Sequence, residues 1–297
     1  MIYTVTFNPA LDYSLNTENL KFGITNRSRN EEICFGGKGI NVSFMLSQLN
    51  VDTTALGFIA GFTGDFLSSE LENSGISTDF IKLQGGFTRI NVKLKGATET
   101  EINAAGPEIS FRAVDLLLEK LDNLVKGDTI VLAGSIPKSV GNNIYEQILS
   151  RLCSKEIRFV VDATGDLLLN TLKYKPFLIK PNNFELEEIF GEKLSSEEDI
   201  INAALKLKEM GAQNVLVSLG SDGALLIDEF SNVHRQSAFK INLVNSVGAG
   251  DSMVAGFLAG CDKGYDYALK LGAAAGAATA ASKNLATKEE IEKILAT

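Results

Sequence analysis

The heptapeptide Asn245-Ser246-Val247-Gly248-Ala249-Gly250-Asp251 follows a β-like run over 239–244 and precedes a helical pattern of small residues that starts near Ser252. Its two glycines allow a tight turn whose backbone N–H groups point into one concavity. At the N-terminus of a helix, such amides and the helix dipole attract anions. Asp251 stands at the edge of this turn, where a carboxylate can accept a proton from an attacking hydroxyl. The stretch therefore indicates phosphoryl transfer to an alcohol, with a glycine turn capped by Asp251 as the alternative.

Strand and helix patterns alternate along most of the chain that precedes this stretch. Predicted strands such as 130–133 are apolar throughout, which is typical of parallel strands covered on both faces. This alternation predicts an α/β fold with a doubly wound, mostly parallel sheet flanked by helices. Segments 9–35 and 87–105 differ, because polar and apolar residues alternate there without a convincing helix. We expect a core of residues 1–8, 36–86 and 106–297, with a small β-sheet lid formed by 9–35 and 87–105.

The composition excludes several kinds of function. The net charge of −9 argues against nucleic acid or an anionic membrane surface as a partner. The three cysteines lie far apart, which fits a reducing compartment better than a metal or redox motif. No signal-like segment opens the sequence, so we expect a cytoplasmic protein. His234 is the only histidine, which excludes multi-histidine zinc sites, and we assign it no catalytic role.

Two common nucleotide-binding motifs are missing from the sequence. No Gly-x-Gly-x-x-Gly opens the first helix, and no Gly-x4-Gly-Lys-Ser/Thr occurs. The sequence therefore lacks the main evidence for assigning it to the dinucleotide dehydrogenases or the P-loop NTPases. Glycines nonetheless cluster near the predicted carboxyl ends of several strands, at 36–39, 134, 220–223 and 248–250. That edge is where open α/β sheets bind ligands, and we place the site there.

Two motifs carry a resemblance to a known family. Gly36-Gly37-Lys38-Gly39-Ile40-Asn41-Val42 and Val247-Gly248-Ala249-Gly250-Asp251-Ser252 resemble the two signatures of the ribokinase-like (PfkB) sugar kinases. Further segments have counterparts, in the same order, in the phosphosugar branch of that family: 8–12, 88–92, 133–137, 180–186 and 217–220. The similarity thus runs the length of the chain.

The resemblance implies a ribokinase-like fold and an ATP- and Mg²⁺-dependent kinase. The implied reaction converts fructose 1-phosphate to fructose 1,6-bisphosphate, and tagatose 6-phosphate remains open as the acceptor. A non-catalytic sugar- or nucleotide-binding protein is the rival interpretation, against which the presence of Asp251 argues. The resemblance also implies a possible homodimer formed through the lid. The Ala-rich segment 273–281 corresponds to the family's adenine contact.

The resemblance also implies roles for individual residues. Asp251 is the expected base, and the anion hole is formed by Gly248, Ala249 and Gly250. The sugar phosphate is expected to contact Asp12, Gly37, Lys38, Gly39, Asn41, Arg89 and Ser135. The nucleotide is expected to contact Lys180, Asn182, Ser218, Gly220, Gly223 and Gly250. Glu185 is expected to hold Mg²⁺, through water.

Several of these residues have structural alternatives. Asn182 is also a suitable helix cap, and Glu185 a suitable partner for the helix dipole. Arg89 lies on an alternating strand, where a solvent-facing position is the competing interpretation. Asp162 directly follows an apolar strand, and we expect it to be structural and outside the site. Because the chain is acidic, a phosphosugar must be held by local cations, for which Lys38 and Arg89 are the candidates.

Overall fold

The computed structural model describes residues 1–17, 20–96 and 99–297. Within them the chain forms fourteen β-strands and ten α-helices. The strands are β1 (Ile2–Thr6), β2 (Ala10–Asn16), β3 (Glu31–Gly36), β4 (Thr53–Ala60), β5 (Ser77–Thr78), β6 (Ile81–Leu83), β7 (Arg89–Lys95), β8 (Thr100–Ile102), β9 (Thr129–Ala133), β10 (Arg158–Asp162), β11 (Leu178–Ile179), β12 (Asn214–Ser218), β13 (Ala224–Ile227) and β14 (Val233–Gln236). The helices are α1 (Lys38–Gln48), α2 (Gly61–Asn73), α3 (Phe111–Leu121), α4 (Ile144–Leu152), α5 (Gly165–Leu169), α6 (Asn183–Phe190), α7 (Glu197–Glu209), α8 (Ala249–Gly260), α9 (Tyr265–Ala281) and α10 (Lys288–Leu295).

The large sheet confirms the predicted fold class. Its strand order is β14-β13-β12-β11-β10-β9-β1-β4-β5, with β6 paired to β4. All of its pairings are parallel except those of β13 with β12 and β14. From β1 the chain builds the sheet on the β4 side first, and it then returns to add β9 on the other side of β1. The topology therefore changes direction beside β1, and in open α/β sheets the crevice at such a point binds ligands.

Strand β9 shows why the predicted strand 130–133 is apolar throughout. Ile130 and Leu132 pack into one buried cluster, which contains residues of α3, α4 and α7. Val131 and Ala133 point to the other face, into a cluster with α1, α8, α9 and α10. Because helices cover both faces, all four positions from Ile130 to Ala133 are apolar, and Thr129 is the polar residue at the start of the strand. None of the helices in the described part of the chain has the length and apolarity needed to span a membrane.

A second sheet forms from the two segments that interrupt the βα alternation. Its strand order is β3-β2-β7-β8, and β2 lies between β3, antiparallel, and β7, parallel. This small sheet confirms that the two predicted lid segments pair with each other. The pairing sets Asp12 of β2 beside Asn91 of β7. Positions 18–19 and 97–98 of the predicted lid lie outside the described residues, and the domain boundaries stay a prediction.

The predicted strand over 239–244 is wrong. Strand β14 ends at Gln236, and the following backbone has no strand partner. Instead, the amides of Val244 and Asn245 both donate to the carbonyl of Ala280, at 2.8 and 3.1 Å, near the end of α9. The run resembles a strand only in its alternation of apolar and polar residues, and Leu243 and Val244 are 72% and 59% exposed. Helix α8 begins at Ala249, three residues before the predicted start.

His234 joins the β13–β14 hairpin to α9. Its Nδ1 lies 2.6 Å from Oδ1 of Asp266, and its Nε2 lies 3.0 Å from Oδ2 of the buried Asp228. Burial opposes the charged imidazolium, but the hydrogen bonds to Asp228 and Asp266 outweigh it and raise the pKa of His234. The histidine therefore has a structural role, away from the predicted site.

We predict that this contact stabilises the fold most at acidic pH. A raised pKa means that the stabilisation is fully present below the ordinary histidine value and is lost as the pH rises through the folded-state value. His234→Gln, which cannot be protonated, should lower the free energy of unfolding by on the order of 1 kcal/mol at pH 6 and by less at pH 9. Urea unfolding of both proteins at both pH values measures this. An equal loss at pH 6 and pH 9 would contradict it.

Candidate active site

A cavity of about 860 Å³ lies between the carboxyl edge of the large sheet and the small sheet. Most of the predicted site residues line it: Asp12, Gly37, Lys38, Asn41, Arg89, Ser135, Lys180, Asn182, Glu185, Ser218, Gly248, Gly250 and Asp251. Four predicted residues do not: Gly39, Ala249, Gly220 and Gly223. The structure thus brings together residues from both ends of the chain, as the strand topology predicts.

Asp251 lies in the first turn of α8 and is almost completely buried. Its Oδ2 accepts a hydrogen bond of 2.7 Å from Nδ2 of Asn41 in α1. Burial and the negative charge of Asp162 raise the pKa of Asp251 to about 6, against the opposing effects of Lys38, Asn41 and Lys180. A carboxylate with this pKa is ionised near neutral pH yet basic enough to accept a proton from a hydroxyl.

Asp162 anchors two lysines in the same cavity. It is the last residue of β10, and only 1% of its side chain is exposed. Nζ of Lys38 lies 3.2 Å from its Oδ1, and Nζ of Lys180 lies 3.4 Å from the same oxygen. Burial opposes ionisation, but the two lysines outweigh it and hold the pKa of Asp162 below its ordinary value. Our sequence interpretation placed Asp162 outside the site; the structure places it in the cavity wall.

Gly37 fixes the start of α1 below this cluster. It has a φ of +119° as the N-cap, and a Cβ there would lie 2.8 Å from Cγ2 of Thr6. Lys38 is the next residue. Because the helix approaches β1 closely, this lysine lies at the end of the sheet and lines the cavity. Gly39 has a packing role, because a Cβ there would meet Oγ1 of Thr6 at 2.5 Å.

The turn before α8 leaves amides free to bind an anion. Gly248 has a φ of +79°, which a residue with a side chain rarely adopts. The amide of Ala249 donates to the carbonyl of Ser246 at 3.3 Å, whereas those of Gly250 and Asp251 have no acceptor within the described residues. Of the predicted anion-hole residues, Gly248 and Gly250 thus have amides without an acceptor in the described chain, and Asp251 adds a third; anion binding there stays a prediction. Lys180 lies close by, with Nζ 3.4 Å from the position of a Cβ on Gly250.

The small sheet presents Asp12 to the cavity. Its Oδ1 accepts a hydrogen bond of 2.8 Å from Asn91, and its Oδ2 is paired with Nζ of Lys93 at 2.9 Å. Asn91 and Lys93 are two residues apart on β7 and therefore share one face of the sheet. Both line the cavity, and our sequence interpretation gave neither a role. The alternation of β7 was visible in the sequence, but its register against Asp12 was not.

Arg89 lies at the start of β7 with its guanidinium half-buried. Its Nε donates to the carbonyl of Asn8 at 3.2 Å, and its Nη1 donates to the carbonyl of Ala104 at 3.4 Å. No carboxylate of the described chain lies within 4 Å of it, so its charge is unpaired there. Nearby, Oδ1 of Asn8 and Oγ1 of Thr6 are buried and have no hydrogen-bond partner among the residues that the structure describes. Buried polar atoms of this kind normally have partners, which points to a polar ligand in this cavity.

Asn182 and Glu185 form a capping box at the start of α6. Oδ1 of Asn182 accepts from the amide of Glu185, and Oε2 of Glu185 accepts from the amide of Asn182, both at 2.8 Å. The structural alternative that we kept open for these residues is therefore present.

Asn182 and Glu185 also line the cavity, and Oε1 of Glu185 has no partner in the described chain. No group of three or more His, Cys, Asp or Glu side chains there is arranged to hold a metal. A Mg²⁺ ion carried by phosphates and water fits this single free oxygen, because Mg²⁺ keeps most of its waters.

Ser135 and Ser218 line the cavity from the ends of two central strands, β9 and β12. Ser218 also forms an isolated parallel bridge with Asn182. Gly220 and Gly223 lie in the turn between β12 and β13, outside the cavity wall. Their expected contact with a nucleotide stays a prediction.

The chain is similar to known proteins over almost its whole length. Residues 5–292 match the pfkB family of carbohydrate kinases. A 1-phosphofructokinase from Bacillus subtilis is 46% identical and is aligned over 99% of this chain and 97% of its own length. A D-tagatose-1-phosphate kinase from Bacillus licheniformis is 38% identical, with coverage of 99% and 97%. The crystal structure of phosphofructokinase-2 from Escherichia coli, in complex with substrates and products, has a TM-score of 0.93 and 28% identity and covers 99% of this chain and 98% of that one. The chain belongs to the pfkB family of carbohydrate kinases.

Proposed function

We propose that this protein transfers the γ-phosphoryl group of ATP to the 6-hydroxyl of fructose 1-phosphate and so forms fructose 1,6-bisphosphate. The observation that carries the proposal is the buried Asp251, with its raised pKa, beside free backbone amides at the start of α8. A protein that only binds sugar or nucleotide needs no such base. The 46% identical relative named 1-phosphofructokinase supports this acceptor.

The chemical step needs one base and one set of anion donors. Asp251 takes the proton of the 6-hydroxyl while that oxygen bonds to the γ-phosphorus and the bond to the leaving ADP oxygen breaks. The amides of Gly250 and Asp251 donate to the oxygens of the phosphoryl group, where negative charge is concentrated. Lys180 adds positive charge beside Gly250. Asn41 orients Asp251 through its 2.7 Å hydrogen bond and also faces the acceptor.

The acceptor lies between the small sheet and α1 in this proposal. Asp12 accepts hydrogen bonds from sugar hydroxyls, because each of its oxygens already has one donor and keeps room for another. Arg89 binds the 1-phosphate with its remaining N–H groups, helped by Lys38. Gly37 and Gly39 shape the backbone beside the sugar, and Ser135 closes the cavity at the end of β9.

The nucleotide lies over the ends of β11 and β12. Lys180, Asn182 and Ser218 face its phosphates, and Gly220 and Gly223 border the nucleoside. Glu185 holds Mg²⁺ through water with its free oxygen. Mg²⁺ neutralises part of the phosphate charge when it is bound. The small sheet closes over the sugar when the acceptor binds, and it is also the surface through which we propose a homodimer.

The identity of the acceptor has one supported alternative. We expected tagatose 6-phosphate as the competitor, whereas the relative from Bacillus licheniformis is named for tagatose 1-phosphate. Fructose 1-phosphate and tagatose 1-phosphate share the 1-phosphate and the free 6-hydroxyl and differ only in configuration at one carbon. Tagatose 6-phosphate would present its phosphate at the opposite end. The comparison thus favours a ketohexose 1-phosphate over a 6-phosphate.

A panel of acceptors tests the proposed function. ADP release is measured with fructose 1-phosphate, tagatose 1-phosphate, tagatose 6-phosphate and fructose 6-phosphate in the presence of ATP and Mg²⁺. We expect the highest kcat/KM for fructose 1-phosphate and a lower value for tagatose 1-phosphate. A higher kcat/KM for either 6-phosphate would reverse the proposed orientation of the sugar, and no turnover of any acceptor would refute the kinase proposal.

Replacing the proposed base should separate catalysis from stability. Asp251→Asn should lower kcat by roughly 10²–10⁴-fold, the usual effect of losing a general base. The variant should be at least as stable as the wild type at pH 7.5, because an ionised carboxylate is removed from a buried site. Urea unfolding and steady-state kinetics measure both effects. Asp166→Asn is the matched control, since Asp166 lies in the first turn of α5 and is exposed. Wild-type kcat in a folded Asp251→Asn variant would exclude Asp251 as the base.

Replacing Arg89 should weaken the binding of the sugar phosphate and leave the binding of ATP unchanged. Arg89→Ala should raise KM for fructose 1-phosphate by about tenfold or more, because hydrogen bonds between charged groups contribute about 1.5–3 kcal/mol. KM for ATP should change little, and discrimination against unphosphorylated fructose should fall. Arg89→Lys, which keeps the charge without the planar fork, should show an intermediate effect. Equal weakening of ATP and sugar would place Arg89 on the nucleotide, and no change in either would remove it from the site.

A further inference from the structure

Residues 280–285, here called the connector, join the end of α9 to the approach to α10 and contact the small sheet on one side. Nδ2 of Asn284 donates to Oε1 of Glu32 at 2.9 Å, and Sγ of Cys34 donates to Oδ1 of Asn284 at 3.3 Å. Nζ of Lys283 lies 2.7 Å from Oε2 of Glu32. The hydrogen bonds from Lys283 and Asn284 hold the pKa of Glu32 below its ordinary value. Glu32 and Cys34 are two residues apart on β3 and therefore present the same face to the connector.

On its other side the connector contacts the segment that leads into α8. The carbonyl of Ala280 accepts from the amides of Val244 and Asn245. The carbonyl of Lys283 accepts a hydrogen bond of 3.1 Å from Nδ2 of Asn245. Leu285 packs directly on Gly248, where a Cβ would lie 2.5 Å from Cδ2 of the leucine. The connector thus contacts both ends of the anion-binding turn, by hydrogen bonds at Val244 and Asn245 and by packing at Gly248.

We propose that the connector transmits the position of the small sheet to the anion-binding turn, and that Glu32 and Asn284 are positioning residues for phosphoryl transfer. This inference rests on the proposed function. Acceptor binding engages Asp12 on β2, and β2 pairs with β3, which carries Glu32 and Cys34. A shift of β3 moves Asn284 through its hydrogen bonds to Glu32 and Cys34. The connector then changes the backbone position at Gly248, on which Leu285 packs. Phosphoryl transfer depends strongly on such alignment, because small misplacements of the reacting groups cost large factors in rate.

The hydrogen bonds of Asn284 give it a positioning role. Its amide nitrogen and its amide oxygen both have partners on β3, although the side chain lies at the cavity wall. Each group keeps room for one further hydrogen bond, so a direct contact with the sugar is the outcome that kinetics must exclude. These partners make the amide a link between two parts of the protein.

Kinetics of three variants test the coupling. Asn284→Ala and Glu32→Ala should each lower kcat by roughly five- to tenfold, the range expected for a modest coupling free energy, with KM for ATP unchanged. The double variant should lose little more than either single variant, because both remove the same link. Glu31→Ala is the matched control: it removes the neighbouring carboxylate on β3, which faces the other way and accepts from Tyr13. Its kcat should equal that of the wild type.

Hydrogen exchange provides a readout that does not need turnover. In the free protein, Asn284→Ala should speed exchange over residues 245–251 relative to the wild type and Glu31→Ala. Fructose 1-phosphate should slow exchange over both β2–β3 and 245–251 in the wild type, but only over β2–β3 in Asn284→Ala. If the wild type turns over no acceptor, the proposed function fails while exchange in the free protein still decides the coupling. Unchanged exchange over 245–251 in Asn284→Ala would overturn it, and a rise only in KM for the sugar would make Asn284 a substrate contact instead.

Discussion

The buried carboxylate of Asp162 holds the charges of the cavity in place. Two lysines from distant parts of the chain, Lys38 and Lys180, reach it at the carboxyl edge of the sheet. Burying one charge without partners would be costly, so the three side chains must be placed together. The negative charge of Asp162 also acts on Asp251 and, together with burial, raises the pKa of the Asp251 carboxyl to about 6. One ion cluster thus positions the cations for a phosphorylated ligand and adjusts the proposed base.

The fold supplies this cluster from strands that end at the same edge. Asp162 ends β10, Lys180 follows β11, and Lys38 opens α1 close to β1. Asp251 comes from α8, far along the chain, and is fixed by Asn41 in α1. The small sheet adds the opposite wall, with Asp12 held by Asn91 and Lys93. The cavity therefore needs both sheets.

The sequence predicted the parts of the fold that depend on local pattern. Apolar runs identified central strands such as β9, alternation identified the small sheet, and Asn182 was recognised as a suitable helix cap, which the structure confirms at the start of α6. The run over 239–244 was misread because its apolar and polar residues alternate as in a strand, whereas the backbone there has no strand partner. Asp162 was misassigned because an acidic residue after a strand is equally suited to a turn. Its significance depends on two lysines whose approach is a tertiary property, and the register that brings Lys93 to Asp12 is equally invisible in the sequence.

The central claim is that this buried environment makes Asp251 a base with a pKa of about 6, and carboxyl ¹³C NMR of the free protein tests it most directly. Aspartate side chains labelled with ¹³C are titrated between pH 3 and pH 9, and Asp251 is identified by the resonance that Asp251→Asn removes. We predict that this resonance titrates near pH 6, well above the ordinary value of about 4 for an aspartate. The resonance of Asp162 should stay that of a carboxylate throughout that transition. Titration of the Asp251 resonance near pH 4 would contradict the account.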